Sequence, residues 1–291
     1  MAWLLAPRQM LADPPQLVRL TTDGHFKQRP AWSPDGSWLT FARHQGASIF
    51  LYLRSADGSQ EKRLTKRDAP EYDAVFSPDG RRLAFAFDKM VPNQGDMDLY
   101  TIGPDGEDLQ PVLLSAGKLS HEEWPAWSPD GQWIALSSTR DGNQEIYVVR
   151  PDGKDLTRLT HDPAIDAHPA WSPDGKRLAF ATNRWGDLEL AVMNADGSGL
   201  TRLTSSRGMD DYPSWSPDRT RLAFTSNRDG NLEIYMMRSD GTDAYNLSAS
   251  PAVDNFPTWT REGDVTFVSN RDGGFDIYTI AAATTAQPSE Q

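Results

Sequence analysis

The 291-residue sequence contains no cysteine, which excludes disulfide bonds and thiolate metal sites. It also lacks an excess of positive charge, because 29 Lys and Arg residues stand against 41 Asp and Glu residues, for a net charge of −12. A nucleic-acid partner is therefore excluded, since binding phosphate requires a basic stripe. An acidic body of this kind suits a cation or a basic partner.

Long hydrophobic runs are also absent. No apolar stretch reaches the roughly 20 residues that span a bilayer. The first residues carry only a short apolar run with no basic segment before it, which is not the pattern of an intact signal peptide. The sequence has no G-x-S-x-G, P-loop or H-E-x-x-H motif.

What the sequence does contain is a phrase repeated six times, read as PAWSPDG in its most regular copies. Successive anchors are 44 residues apart, except for one interval of 51. A fixed period of this length is typical of stacked repeats that form one body. The aromatic anchors are Trp32, Phe76, Trp127, Trp171, Trp215 and Trp259.

One repeat, residues 166–204, shows how each copy should fold. Three turn signals, at 172–175, 183–186 and 196–197, separate four short runs that are typical of strands. Four antiparallel strands per repeat predict a propeller blade. No stretch has a helical period with caps. We therefore predict an all-β fold, a six-bladed β-propeller of four-stranded antiparallel blades.

The two chain ends predict how the ring closes. Five repeats end in a segment such as Arg202-Leu203-Thr204, whereas the sixth copy of this segment occurs near the N-terminus as Arg19-Leu20-Thr21. We expect residues 17–21 to supply the outer strand of the last blade, which protects the strand edges. The predicted organisation is an N-terminal extension (1–16), one propeller (17–280) and a flexible C-terminal tail (281–291).

The segment Trp215–Tyr235 resembles the WD-repeat-like module of the TolB family of six-bladed propellers, with one departure at Arg219 where glycine is usual. The resemblance covers nearly the whole chain, but nothing in the sequence corresponds to the additional N-terminal α/β domain of TolB. It implies a scaffold that docks a peptidoglycan-associated lipoprotein in a cell-envelope complex. It also implies a periplasmic or otherwise extracytoplasmic location.

In each repeat, the residues five and three positions before the anchor are candidates for a binding surface. We expect them at the channel mouth, in the loops that lead into the inner strands. The residues five before the anchors are Lys27, Glu71, Glu122, Asp166, Asp210 and Asp254, and those three before are Arg29, Asp73, Trp124, His168, Tyr212 and Phe256. The carboxylates Glu122, Asp166, Asp210 and Asp254 could hold calcium or another divalent cation, or receive a basic segment, because hard oxygen ligands suit such ions. Alternatively, they cap turns or pair with arginine.

A second series places an arginine five or six residues before an acid. This spacing predicts an ion pair within each blade: Arg140 with Glu145, Arg184 with Glu189, Arg228 with Glu233, and Arg271 with Asp276. Blade one departs from the acidic series with Lys27 and Arg29, and blade two has an insertion within residues 88–98. These departures predict a partly basic rim at blades one and two.

The sequence favours a non-catalytic scaffold that docks a protein or peptide partner over the channel mouth, and a monomer. Two alternatives stay open. One is a metal-dependent propeller enzyme of the lyase or lactonase type that uses the channel-mouth acids. The other is a regulatory propeller for a separately encoded hydrolase.

Overall fold

The protein is a six-bladed β-propeller, described here from a computed structural model that covers residues 16–67, 69–88, 96–115 and 120–282. These residues form six four-stranded antiparallel sheets, as predicted. Within this part of the chain there is no helix with the length and apolarity needed to cross a lipid bilayer.

The innermost strands contact one another around the axis and form the wall of the central channel. The strand of the sixth blade contacts that of the first, so the ring is closed. In chain order they are β2 (Lys27–Trp32), β6 (Glu71–Phe76), β10 (Glu122–Trp127), β14 (Asp166–Trp171), β18 (Asp210–Trp215) and β22 (Asp254–Trp259).

The two middle strands of each blade contain its most deeply buried residues. The second strands are β3 (Trp38–Gln45), β7 (Leu83–Asp88), β11 (Ile134–Ser138), β15 (Arg177–Trp185), β19 (Arg221–Ser226) and β23 (Val265–Ser269). The third strands are β4 (Ser48–Ser55), β8 (Met97–Ile102), β12 (Glu145–Val149), β16 (Asp187–Asn194), β20 (Glu233–Arg238) and β24 (Asp276–Ile280).

The outermost strands are short, which limits the exposed sheet edge. They are β1 (Leu17–Arg19), β5 (Glu61–Arg63), β9 (Gln110–Leu113), β13 (Thr157–Arg158), β17 (Thr201–Arg202) and β21 (Tyr245–Asn246). The first of these pairs with the last blade, since Leu17 lies opposite Ile280 and Arg19 opposite Tyr278. The predicted closure of the ring is therefore confirmed.

The core consists of six apolar clusters, one between each pair of neighbouring blades. Each cluster includes an anchor ring; Trp215, for example, packs among Leu190 of blade four and Phe224 of blade five. The same arrangement recurs at the other junctions. Large rings packed between the sheets, together with aliphatic side chains, hold the blades together.

In five of the six blades, the turn after the anchor is held by its serine, and in the sixth blade Thr260 stands in that place and its Oγ1 accepts the amide of Asp264 at 3.1 Å. In the first blade Ser33 Oγ accepts the amide of Trp38 at 2.9 Å and donates to Asp35 Oδ1 at 2.6 Å. Asp35 in turn accepts the amide of Ser37 at 3.0 Å. The serines of these turns are buried. They therefore fix the turn.

Two sequence predictions fall mainly outside the described residues. The N-terminal extension (1–16) and the C-terminal tail (281–291) lie there almost entirely, so the division of the chain into these three parts remains a prediction. The insertion of blade two is described only at its ends, where β7 finishes at Asp88 and β8 starts at Met97.

Candidate functional site

The acidic residues predicted at the channel mouth are the first residues of the innermost strands. Glu122, Asp166, Asp210 and Asp254 are fully buried. Each accepts a hydrogen bond from an arginine at the end of the second strand of its own blade or in the turn that follows it. The pairs are Glu122–Arg140 at 2.8 Å, Asp166–Arg184, Asp210–Arg228 at 2.8 Å and Asp254–Arg271 at 2.8 Å. Glu71 is also buried and accepts from Thr65.

This pairing corrects the prediction of ion pairs with the acids five or six residues further on. Arg140, Arg184, Arg228 and Arg271 reach back to the inner strand. Glu145 and Glu189 bind Arg158 and Arg202 of the outermost strands, at 2.7 and 3.0 Å. Glu233 accepts from Asn246. Asp276 belongs to the ring closure described below.

The buried carboxylates do not form a shared metal site in the described part of the chain. No group of three or more carboxylate or imidazole side chains is placed there to hold one ion. Burial raises the pKa of Asp166 and Asp254, although hydrogen bonds from neighbouring side chains oppose that effect. Their arrangement fits the alternative considered from the sequence, in which the acids pair with arginine.

Lys27 takes the place of the acid in blade one because it belongs to the ring closure. Its ammonium group is fully buried and donates to Asp276 Oδ1 at 3.0 Å and to Asp23. Asp276 also accepts from Arg19 Nη2 at 2.6 Å and from Thr21 Oγ1 at 2.7 Å. The prediction that Lys27 belongs to a basic rim is therefore wrong. Lys27 joins the first blade to the last.

The residues three before the anchors share an unusual backbone conformation. All six have positive φ angles, between 45° and 60°. Each sits in a β-bulge, where two residues of the innermost strand lie opposite one residue of the second strand. A bulge re-aims its side chain, and a left-handed conformation costs a bulky residue about 1–3 kcal/mol. The six residues are Arg29, Asp73, Trp124, His168, Tyr212 and Phe256.

These six residues, which we call the axial cluster, meet across the channel. The ring of His168 lies 4.2 Å from Trp124 and 4.4 Å from Tyr212, measured between ring centroids. Tyr212 and Phe256 are 4.8 Å apart. The guanidinium carbon of Arg29 lies 5.0 Å from the centre of the Trp124 ring. Side chains from five blades thus occupy the axis.

Five members of the axial cluster form the floor of a cavity of about 310 Å³, which we call the axial funnel. The sequence predicted a site among the loops that enter the innermost strands. The funnel instead lies towards the opposite face, which carries the Ser-Pro-Asp turns, because Pro78 and Pro173 of those turns line it. Its other apolar lining includes Pro30, Pro169, Pro213, Pro257, Trp127, Trp171 and Trp215.

The prolines of the funnel are the feature that sequence reasoning missed. Four of them directly follow a residue of the axial cluster, as Pro213 follows Tyr212. The sequence signal was the Pro that stands two residues before the anchor in five of the six repeats. Its ring cannot donate a backbone hydrogen bond, so it fits the irregular pairing of a bulge.

Among the described residues that line the funnel, Arg29 has the only permanently charged side chain. It donates from Nη2 to the carbonyl of Pro125 at 2.6 Å and from Nη1 to the carbonyl of Asp73 at 3.4 Å. Burial lowers the pKa of Arg29 and raises the pKa of the nearby Asp73 carboxyl to about 6. His168 Nδ1 lies 2.5 Å from Asp211 Oδ1.

Comparison with known proteins gives a family match over more than half of the chain. The sequence profile described as TolB beta propeller domain matches residues 114–210 and 202–289. The Tol-Pal system protein TolB of Alcanivorax borkumensis is 30% identical over 112 residues, which are 38% of this chain and 24% of that protein. The match therefore spans about a quarter of the length of that relative.

Solved structures share the fold. A putative TolB from Agrobacterium tumefaciens superposes with a TM-score of 0.71 and 22% identity, over 92% of this chain and 97% of that one. An oligogalacturonate lyase from Vibrio parahaemolyticus has a TM-score of 0.62 and 16% identity, over 92% and 93% of the two chains. At these identities the likeness establishes the architecture alone.

Proposed function

Because the chain belongs to the TolB beta propeller domain family, we propose that it is a non-catalytic scaffold that docks a protein or peptide partner over the axial funnel. The observation that carries this proposal is the funnel itself. Its aromatic and proline lining, with one guanidinium at the floor, has the composition of an interface anchor site. The proposed docking surface is on the face of the Ser-Pro-Asp turns, whereas the sequence had suggested the opposite face, which carries the loops that enter the innermost strands.

The rigidity of the funnel supports a binding role. Its prolines have fixed φ angles and its floor residues contact one another, so little side-chain freedom remains to be lost when a partner binds. The left-handed backbone of the floor residues is a further reason to assign them a function, since strain of this kind is concentrated at functional sites.

The partner proposed for this chain comes from the name of its relative. The Alcanivorax relative is named as a Tol-Pal system protein, and we propose that this chain also binds a component of that system. The same proposal gives it a periplasmic or otherwise extracytoplasmic location. The binding unit would be residues 17–280, acting as a monomer.

The enzyme alternative has less support. A metal-dependent lyase or lactonase would need the inner-strand carboxylates as ligands, and four of them are bonded to arginine within their own blades. The similarity to an oligogalacturonate lyase shows a shared fold and does not favour its chemistry here.

The proposal is tested by obstructing the funnel. Thr258 is partly exposed in its wall, and Thr258→Trp should fill the space that a partner needs. Asp187→Trp, at the exposed tip between β15 and β16 on the opposite face, is the matched control. Both variants are used in affinity capture with cross-linking, after thermal melts show that they are folded.

The expected result is loss of the captured partner with Thr258→Trp and retention with Asp187→Trp. Equal capture by both variants would contradict docking at the funnel. Turnover of an oligogalacturonate or a lactone by the wild-type chain would contradict the scaffold itself.

A further inference from the structure

The funnel of this strongly acidic protein has a positive floor. The net charge is −12, yet the lining contains a single permanent charge, which is the guanidinium of Arg29. Within the described residues no carboxylate oxygen lies within ion-pair distance of Arg29, which donates hydrogen bonds to two backbone carbonyls. Because these bonds provide no counter-charge, the partly buried cation attracts an anion wherever the nearby Asp73 carboxyl is not ionised.

We propose that Arg29 receives a carboxylate of the docked peptide at the floor of the axial funnel. The inference rests on the proposed function and adds the chemistry of the group that enters. Charge complementarity selects the carboxylate, and the apolar walls select a peptide segment with a ring or alkyl group beside it.

The geometry of Arg29 fits this role. Its bond to the carbonyl of Pro125 and its position over the Trp124 ring hold the guanidinium in place. A guanidinium has five N–H donors, so the two bonds to backbone carbonyls leave donors for a ligand. A fixed, planar guanidinium binds a carboxylate through two parallel hydrogen bonds, which are among the strongest in proteins.

The surroundings of Arg29 suit a flat apolar group next to the carboxylate. Trp124, Tyr212 and Phe256 lie in the floor, and proline rings stand above them. A cavity of about 310 Å³ is at the lower end of the range for ligand sites, so it would take one side chain or a chain end.

Asp73 competes with the incoming carboxylate. It faces Arg29 from β6, and the other titratable groups around it are Glu123 of β10, His168 of β14, and Asp211 and Tyr212 of β18. Burial raises the pKa of Asp73 to about 6, against the attraction of Arg29. Above that pH the Asp73 carboxylate offsets the charge of Arg29, whereas below it Arg29 is available. Carboxylate binding should therefore strengthen as the pH falls through 6.

The test uses the full chain and two small probes that differ in one group. N-acetyl-phenylalanine carries a carboxylate, and N-acetyl-phenylalaninamide is its neutral analogue. Titrations followed by calorimetry or NMR should show the acid binding at least about tenfold more tightly than the amide, since charge-assisted bonds are about twice as strong as neutral ones. Arg29→Gln should remove this preference, while Arg81→Gln, at an exposed turn, should keep it.

The pH dependence is tested with Asp73→Asn, because asparagine tolerates the left-handed backbone at this position. The wild-type chain should bind the acid several-fold more tightly at pH 5 than at pH 7.5. The probe stays ionised throughout, since an α-carboxyl has a pKa of about 3.5. Asp73→Asn should bind at pH 7.5 about as tightly as the wild type does at pH 5.

Three results would overturn the inference. They are equal binding of acid and amide by the wild type, no binding of the acid up to tens of millimolar (about 30 mM), and a preference that survives Arg29→Gln. Tighter binding of galacturonate than of N-acetyl-phenylalanine would overturn the peptide as the source of the carboxylate. If Thr258→Trp abolishes partner capture and Arg29→Gln does not, the proposed function stands and this inference fails.

Discussion

At the scale of single residues, the departure at Arg219 shows what the repeat demands of its turns. Arg219 stands where the other Ser-Pro-Asp turns have glycine, and it has a φ angle of 68°, equal to that of Gly131. The turn keeps its geometry, since the Arg219 amide donates to the carbonyl of Ser216 at 2.9 Å. The arginine is therefore strained and does not change the turn.

Arg219→Gly should relieve that strain. A left-handed conformation costs a non-glycine residue about 1–2 kcal/mol, and the greater freedom of glycine in the unfolded chain offsets part of the gain. We expect the free energy of unfolding in urea to rise by about 0.5–1 kcal/mol. The reverse change, Gly131→Arg, should lower it, and a loss of stability in Arg219→Gly would contradict this account.

Asp73 should make stability depend on pH. Its pKa is raised from 3.8 to about 6, mainly by burial. A carboxyl with a raised pKa contributes stability that is fully present below the unfolded pKa and is lost as the pH rises through the folded pKa. Asp73→Asn should therefore raise stability at pH 7.5 by up to about 3 kcal/mol and have little effect near pH 4.

Urea unfolding across pH 4–7.5 measures this effect, and Asp35→Asn is the control. Asp35 lies at an exposed turn, where the hydrogen bond from Ser33 lowers its pKa to about 2, so its contribution is lost only as the pH falls from 3.8 through that value. An identical pH profile for Asp73→Asn and the wild type would show that Asp73 is not buried as described.

At the scale of elements, the innermost strand of each blade contributes both to the packing between blades and to the lining of the axis. Its anchor ring packs between blades, whereas its bulge residue turns towards the axis. The anchors are not equivalent. Trp215 is 7% exposed and donates from Nε1 to the carbonyl of Ala170 at 3.1 Å. Trp171 is only half-buried and has no such bond within the described residues.

Trp215→Ala should therefore cost more than Trp171→Ala. Removing a buried aromatic ring costs about 3–5 kcal/mol, because a cavity is left behind. We expect Trp215→Ala to fall in that range and Trp171→Ala to cost about half as much. Urea denaturation of both variants compares them, and a larger loss for Trp171→Ala would contradict the burial described for the two anchors.

At the scale of the whole molecule, a buried charge cluster reinforces the strand pairing that closes the ring. Asp276 accepts hydrogen bonds from Arg19, Thr21 and Lys27, and so joins residues 19–27 to the last blade. The loops of these blades also touch, because a Cβ atom on Gly274 would lie 2.5 Å from the Cα of Gly24. The closure therefore leaves no room for a side chain at that point.

Asp276→Ala should open the ring. Removing one partner of a buried ion pair costs about 3–5 kcal/mol, because Lys27 would keep a buried charge with less compensation. Hydrogen exchange should also become faster in β1. Arg238→Ala, which removes an exposed pair with Asp243, is the control and should cost less than about 1 kcal/mol. Equal losses in the two variants would argue against closure by this cluster.

The sequence predicted the blades, their number and the closing strand, because turn chemistry and the 44-residue period are local signals. It left open whether the acids bind a ligand at the channel mouth or pair with arginine, because no local pattern shows which side chain of another strand an acid contacts. The link between Lys27 and Asp276 spans 249 positions. No local pattern shows such a contact, so Lys27 was interpreted as a departure at the rim.

Docking at the axial funnel can be tested by mapping which face of the propeller the partner contacts. A photo-reactive phenylalanine derivative is placed at Ala31, in the funnel wall, and in a second protein at Asp187, on the opposite face. The account predicts a cross-link to the partner from position 31 and none from position 187. Cross-links from position 187 alone would contradict it.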